Sequence, residues 1–232
     1  MTILKRSKDR KVANSLTPSG GVRIANSFGL PAGKAFSCPN ATSVCESICY
    51  AGRLEKVYKG VAANLLHNWN ALKDATYAEM YDMLSVMIDD FRKDCDKHNA
   101  PKAFRIHWDG DFFNNDYANA WHDVILFNDD IQFWVYTRVP MAAIILSDVP
   151  NLTLYFSTDS DNVETAIALN ESHGIRLAFL GQTFMTAKQL GAGIRSAICP
   201  EQRKQIPLNG ACVACGICVK GTNNIAFSIS KK

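Results

Sequence analysis

At 232 residues, with 47% hydrophobic and 20% charged residues, the chain has the make-up of one globular core and is too short for two large domains. No apolar run reaches the roughly 18–20 residues of a membrane span, and a net charge of +3 is too mild to imply a nucleic-acid partner. The opening MTILKRSKDRK is basic but lacks the apolar stretch of a secretory signal, so a cytoplasmic protein is expected.

Residues 1–20 read as a loose basic segment, and residues 21–232 as a single domain. Pro18 to Gly21 carries a turn signal, and Val22 to Asn26 alternates apolar and polar residues as a short strand does. Leu30 to Gly33 breaks the regularity and leads into a cysteine loop, residues 36–53, that holds Cys38, Cys45 and Cys49. Leu54 to Lys73 follows with a helical period, Leu54, Val57, Val61, Leu65 and Trp69 falling on one side. Thr76 to His98 forms a second helix, whose stripe of Met80, Met83, Leu84, Met87, Ile88 and Phe91 is expected to be core. Cys95 in that helix is expected to be a plain buried thiol.

From Ala100 the rhythm becomes strand–helix–strand. Strands are predicted at Phe104 to His107, Ile131 to Tyr136, Leu152 to Phe156, Ile175 to Leu180 and Asn224 to Ile229. Between them fall helices near Asn115 to Phe127, Pro140 to Leu146, Asp161 to Ser172 and Thr183 to Leu190. Crossovers of this length force parallel pairing. With Val22 to Asn26 the count is about six strands, too few for a regular eight-fold barrel. The expected fold is α/β, a partial or irregular TIM-type (β/α) barrel with cysteine-rich loops; an open doubly wound sheet is the alternative.

Sites in parallel α/β folds form at the C-terminal ends of the strands. Here those ends carry His107, Asp109 and Asp111, then Tyr136 and Arg138, then Asp159. Arg105, His107 and Asp109 share one alternation phase, which puts three polar groups on one face of a buried strand. The competing reading is helix capping, worth about 1 kcal/mol and favoured for Asp159 or Ser160.

The cysteines carry the clearest chemistry. There are eight, with no secretory signal and with metal-ligand spacings, so metal binding outweighs disulfides. Cys38-x6-Cys45-x3-Cys49 offers three soft thiolates and leaves a cubane cluster one ligand short. His107 and Asp109 are in sequence position to complete it. Cys199-x12-Cys212-x2-Cys215-x2-Cys218 offers four, with Gly210 and Gly216 giving the backbone freedom to wrap. The continuous C-x2-C-x2-C leans toward iron–sulfur, and zinc is the other metal this late set (199–218) admits. The expectation is one or two [4Fe-4S] clusters, the two groups either separate or sharing ligands. A small-molecule ligand would sit at the open iron, positioned by His107, Asp109, Asp111, Tyr136 and Arg138. The competing class is a binding module with structural metals, in which Lys5, Arg6, Lys8, Arg10 and Lys11 contact nucleic acid or a host protein. A third class is a redox or metal sensor without a substrate.

Leu30-Pro31-Ala32 before Cys38-Pro39, then Cys45, Cys49-Tyr50-Ala51, Gly110-Asp111-Phe112-Phe113, Tyr136-Thr137 and the late cysteines occur in an order that resembles the bacteriophage gene product 88 family. The resemblance spans most of residues 28–218. It implies a phage-encoded protein in the host cytoplasm, with an iron–sulfur cluster on a TIM-barrel-type body, and supplies no reaction. The layout is also similar to that of radical S-adenosylmethionine enzymes, but their spacing is C-x3-C-x2-C and no Gly-Gly-Glu follows the next strand here.

Overall fold

The structure is a computed structural model that describes residues 2–12, 16–17 and 21–230. A single 3-10 turn at Arg10–Val12 precedes α1 (Ser43–Ile48), α2 (Tyr50–Val57), α3 (Lys59–Leu72) and α4 (Tyr77–His98). The alternating region follows as β1 (Ala103–Ile106), α5 (Asn115–Leu126), β2 (Gln132–Thr137), α6 (Pro140–Ile145), β3 (Leu152–Thr158), α7 (Val163–His173), β4 (Arg176–Gly181) and α8 (Phe184–Leu190). Last come β5 (Ser196–Ile198), α9 (Ala211–Cys215), α10 (Ile217–Lys220) and β6 (Asn224–Ser228).

The strands pair in parallel throughout, in the order β1-β2-β3-β4-β6-β5. From β1 to β4 spatial order follows chain order, as in a barrel. The strands alternate cleanly. Phe104, Ile106, Phe133, Val135, Leu154, Phe156, Leu177 and Phe179 face a large core shared with α4 to α8. Trp134, Tyr155, Ala178 and Ile225 face the other way, into a smaller cluster. Thus α5 to α8 lie on one face, which is the singly wound arrangement of a partial barrel. The last unit reverses it. Because β6 returns between β4 and β5, its crossover must pass over the opposite face to stay right-handed. That reversal carries α9 and α10, with three of the late cysteines, onto the inner face, where Val12 from the N-terminal segment packs beside them.

α4 begins with a capping box between Thr76 and Glu79, and its methionine stripe is buried as core, as is Cys95. The single helix expected over Leu54 to Lys73 is two helices, broken at Tyr58, with Val57 at the break 68% exposed. The strand expected at Val22 to Asn26 does not join the sheet as one of the six. Instead residues 26–30 run beside β1 in an irregular ladder, with Arg105 N–H donating to Asn26 O, Phe28 N–H to Arg105 O, and Leu30 N–H to Asp109 O. The sixth strand is β5, whose three residues are too few to show a period. Residues 2–12 are packed rather than loose. Leu4 and Val12 are buried, Arg6 pairs with Asp94 at 2.7 Å, and Lys11 pairs with Glu201 at 2.8 Å. Most of the turn expected at Pro18 to Gly21 lies outside the described residues. Among the described residues no helix is long and apolar enough to cross a membrane.

Candidate functional site

The ladder at residues 26–30 delivers the cysteine loop directly to the C-terminal ends of β1 to β3. The close approach needs Gly110: at φ +81° it sits where a Cβ would come within 2.5 Å of Ser37 Oγ and 2.7 Å of Leu30 O. Ser37 is buried; its hydroxyl donates to Pro31 O at 2.7 Å and accepts from Asp111 N–H at 3.2 Å. Cys38 follows this anchor. Cys45 lies in α1, and its N–H donates to Thr42 Oγ1 at 3.0 Å, the N-cap bond of that helix. Thr42 in turn donates to Asp159 Oδ2 at 2.6 Å, and Ser43 bonds Asp161. Cys49 caps α2, its sulfur accepting from Gly52 N–H at 3.3 Å.

Three carboxylates and an arginine line this mouth. Asp111 is buried and fully engaged: Oδ1 accepts from Thr137 Oγ1 at 2.6 Å and Phe112 N–H at 2.8 Å, and Oδ2 from Arg138 N–H at 2.8 Å. Burial raises its carboxyl to about 6 against the pull of those donors. Arg138 Nη1 lies 2.8 Å from Asp159 Oδ2, with side chains only 10% and 1% exposed. Asp159 therefore binds the cysteine loop and Arg138 rather than capping a helix; Asn162 occupies the N-cap of α7 without a side-chain bond. Asp109 faces Glu55 of α2, and burial, followed by that second carboxyl, holds it well above the usual carboxylate range.

Two thiols of the loop, Cys38 and Cys45, lie within electrostatic reach of Asp111. Cys38 is pushed up to about 12 by burial and then by the charges of Asp111 and Asp109. Cys45 is raised by burial, partly offset by Arg138, with Cys49, Asp159 and Asp111 adding to the rise. A thiol so far above neutrality keeps its proton unless a metal displaces it.

Two of the expected mouth residues lie elsewhere. His107 does not share a face with Arg105 and Asp109, because its φ of +55° ends the strand alternation. Its ring sits among Phe28, Phe112 and Tyr117, with Nε2 2.9 Å from Tyr117 Oη, and burial followed by Arg105 lowers its pKa to about 3. The folded chain therefore refuses a proton that the unfolded chain accepts near 6.5, and stability is lost as pH falls from about 6.5 toward 3. At pH 5 this costs about 2 kcal/mol. A His107→Asn variant, whose side chain tolerates the left-handed backbone, should show a flatter fall in urea midpoint between pH 7 and 5. An equal fall in both proteins would rule out His107 as the cause.

Tyr136 belongs to the second cysteine group, on the inner face. Its side chain packs with Cys218 in the smaller inner cluster, its ring stacks on Tyr155 at 5.3 Å, and the Arg105 guanidinium lies 5.9 Å from its centroid. Cys199 follows β5 and is tied to β6 by its N–H to Ala226 O at 3.2 Å. Cys212 and Cys215 lie in α9 and Cys218 in α10, joined by Gly216 at φ +72°. Burial pushes Cys218 up to about 12, with Cys212, Cys199 and Cys215 adding to the rise, so the four sit within electrostatic reach of one another. Tyr155 Oη and Thr153 Oγ1 brace α10 by donating to Ile217 O at 3.2 Å and Val219 O at 2.8 Å. All eight cysteines are free thiols. Among the described residues no three Cys, His, Asp or Glu side chains close tightly enough to hold a single metal ion.

Sequence reasoning missed Ser37, Thr42, Glu55, Tyr155 and Asp9. Thr42 alone had a readable signal, standing three residues before Cys45 as an N-cap does.

A family profile described as Gene product 88 matches residues 2–221. The "Gene 88 protein" of Mycobacterium phage L5 is 49% identical over 243 residues, and that of Mycobacterium phage D29 49% identical over 244, each alignment covering the whole of both chains. No solved structure matches significantly. With the profile spanning nearly the whole chain and two full-length phage relatives at this identity, the chain belongs to the bacteriophage gene product 88 family.

Proposed function

We propose that this member of the family is a phage-encoded iron–sulfur protein of the host cytoplasm, holding a [4Fe-4S] cluster through Cys38, Cys45 and Cys49. One observation carries the reading: a single loop brings three thiols and, among the described residues, no fourth to the C-terminal ends of β1 to β3, where α/β folds place their sites. The donor set suits the group, because soft sulfur selects iron–sulfur chemistry over hard cations. When bound, such a cluster with three protein ligands supplies an iron open to a small molecule.

The chain's own residues then have defined work. Ser37 and Thr42 hold the loop backbone in place. Arg138, held in place by Asp159, sets its guanidinium within electrostatic reach of Cys45, where it favours the thiolate. Asp111 orients the Arg138 backbone and reaches Cys38 and Cys45 electrostatically. Burial, followed by the neighbouring Glu55, raises Asp109 well above the usual carboxylate range at the rim. Of the basic N-terminal residues that would contact nucleic acid or a host protein, Arg6 and Lys11 are paired within the chain.

The test is anaerobic purification with iron and acid-labile sulfide counting. A brown protein with iron and sulfide in equal amounts is expected. A colourless protein carrying only zinc overturns the reading.

A further inference from the structure

The inner cysteine group has an electrostatic setting of its own. Arg105 enters from β1, is held by Asp9 at 2.8 Å, and lies within reach of Cys212. Its Nε is buried without a hydrogen-bond partner. Lys11, paired with Glu201, acts on Cys199 and Cys212. Tyr136, Cys199 and Cys212 pack against the inner cluster that contains Cys218 and Tyr155, which brings the Tyr136 hydroxyl within electrostatic reach of Cys218, and the Tyr136 and Tyr155 rings stack as the floor of the site. Four soft donors thus meet two cations, two carboxylates that anchor those cations, and one hydroxyl. Four thiolates on a cubane leave no iron open, and the added negative charge needs compensation in a half-buried site.

We propose that Cys199, Cys212, Cys215 and Cys218 form a second, self-contained iron–sulfur site on the inner face, separate from the mouth, whose reduction potential is set by Tyr136 on Cys218 and by Arg105 beside Cys212. It rests on the reading that the chain carries iron–sulfur chemistry. The site gains one electron from an external one-electron donor and returns it, with no bond made or broken in the chain. A hydroxyl close to a ligand sulfur and a nearby cation both favour the reduced, more negative state. Tyr136 and Arg105 are therefore positioning residues that raise the potential. Arg105 also lies within electrostatic reach of Tyr50, next to Cys49, and of Asp109 at the mouth.

The experiment uses the full chain, reconstituted anaerobically, with Cys38, Cys45 and Cys49 all replaced by alanine so that only the inner site can load. Iron should remain, and a dithionite-reducible paramagnetic signal should persist. In that background Tyr136→Phe should keep its iron and shift the reduced-to-oxidised ratio at fixed potential toward the oxidised form by up to about tenfold, a potential lower by up to about 59 mV. Arg105→Gln should shift it in the same direction. Loss of all iron with the mouth cysteines overturns separateness and shows one shared cluster. Iron retained with an unmoved potential in Tyr136→Phe overturns the tuning role alone. A wild-type protein without iron overturns this proposal and the parent reading together.

Discussion

Replacing Cys38, Cys45 and Cys49 together by alanine should remove one cluster's worth of iron and sulfide while the sheet stays folded. The reason lies in how the loop is anchored. Its fixed points on the rest of the fold are Ser37 on Pro31 and Asp111, Thr42 on Asp159, and Ser43 on Asp161, and none of these uses a thiol; the triple change costs the loop the Cys49 cap on Gly52 N–H. The three cysteines are half-buried, so truncation opens no large core cavity. Iron and sulfide counting, with far-ultraviolet circular dichroism as the fold check, measures the result. Cys95→Ala is the control: that thiol packs in the α4 core and should leave the iron content unchanged. Unchanged iron in the triple variant would show that these thiols are not the ligands. Iron loss in Cys95→Ala would implicate the core instead.

Asp159→Ala should be among the most damaging single changes in the chain. The Arg138–Asp159 pair is nearly sealed, and removing the carboxylate leaves a buried guanidinium uncompensated. Broken buried pairs cost about 3–5 kcal/mol; the lower end, about 3 kcal/mol, applies here because Arg138 keeps a tenth of its exposure. Thr42 loses its acceptor in the same stroke, so the segment carrying Cys45 loosens. Urea unfolding of the metal-free protein should report the loss as a lower midpoint with an unchanged slope. Adding Arg138→Met to Asp159→Ala should recover much of it, because the stranded charge is then gone. A loss below about 1 kcal/mol would mean that water already solvates the pair.

The helical layer was readable from sequence because its information is local. The Met80 to Phe91 stripe repeats every three or four residues over about three turns, and Thr76 with Glu79 marks the start of the helix. Strands β2 to β4 were readable because aromatic and branched residues alternate between two buried faces. The strand at residues 26–30 was misplaced because its hydrogen bonds go to β1, a partner far along the chain that a local pattern does not reveal. Likewise β5 is held by pairing with β6 rather than by its own residues.

At the site the division is sharper. Composition and spacing by themselves determined that two groups of thiols exist, that one has three members and the other four, and that the first precedes a run of parallel β/α units. Only the tertiary structure decided which polar residues meet which thiols. One left-handed residue, His107, turns its ring into the helical core and breaks a face that a period of two would have kept polar. Tyr136 was expected at the mouth, but its place in the β2 alternation points it inward, to Cys218. The late cysteines reach that inner face because β6 is inserted between β4 and β5, which sends its right-handed crossover over the opposite side. Strand order is a property of long-range pairing, and no residue within the C-x2-C-x2-C segment encodes it.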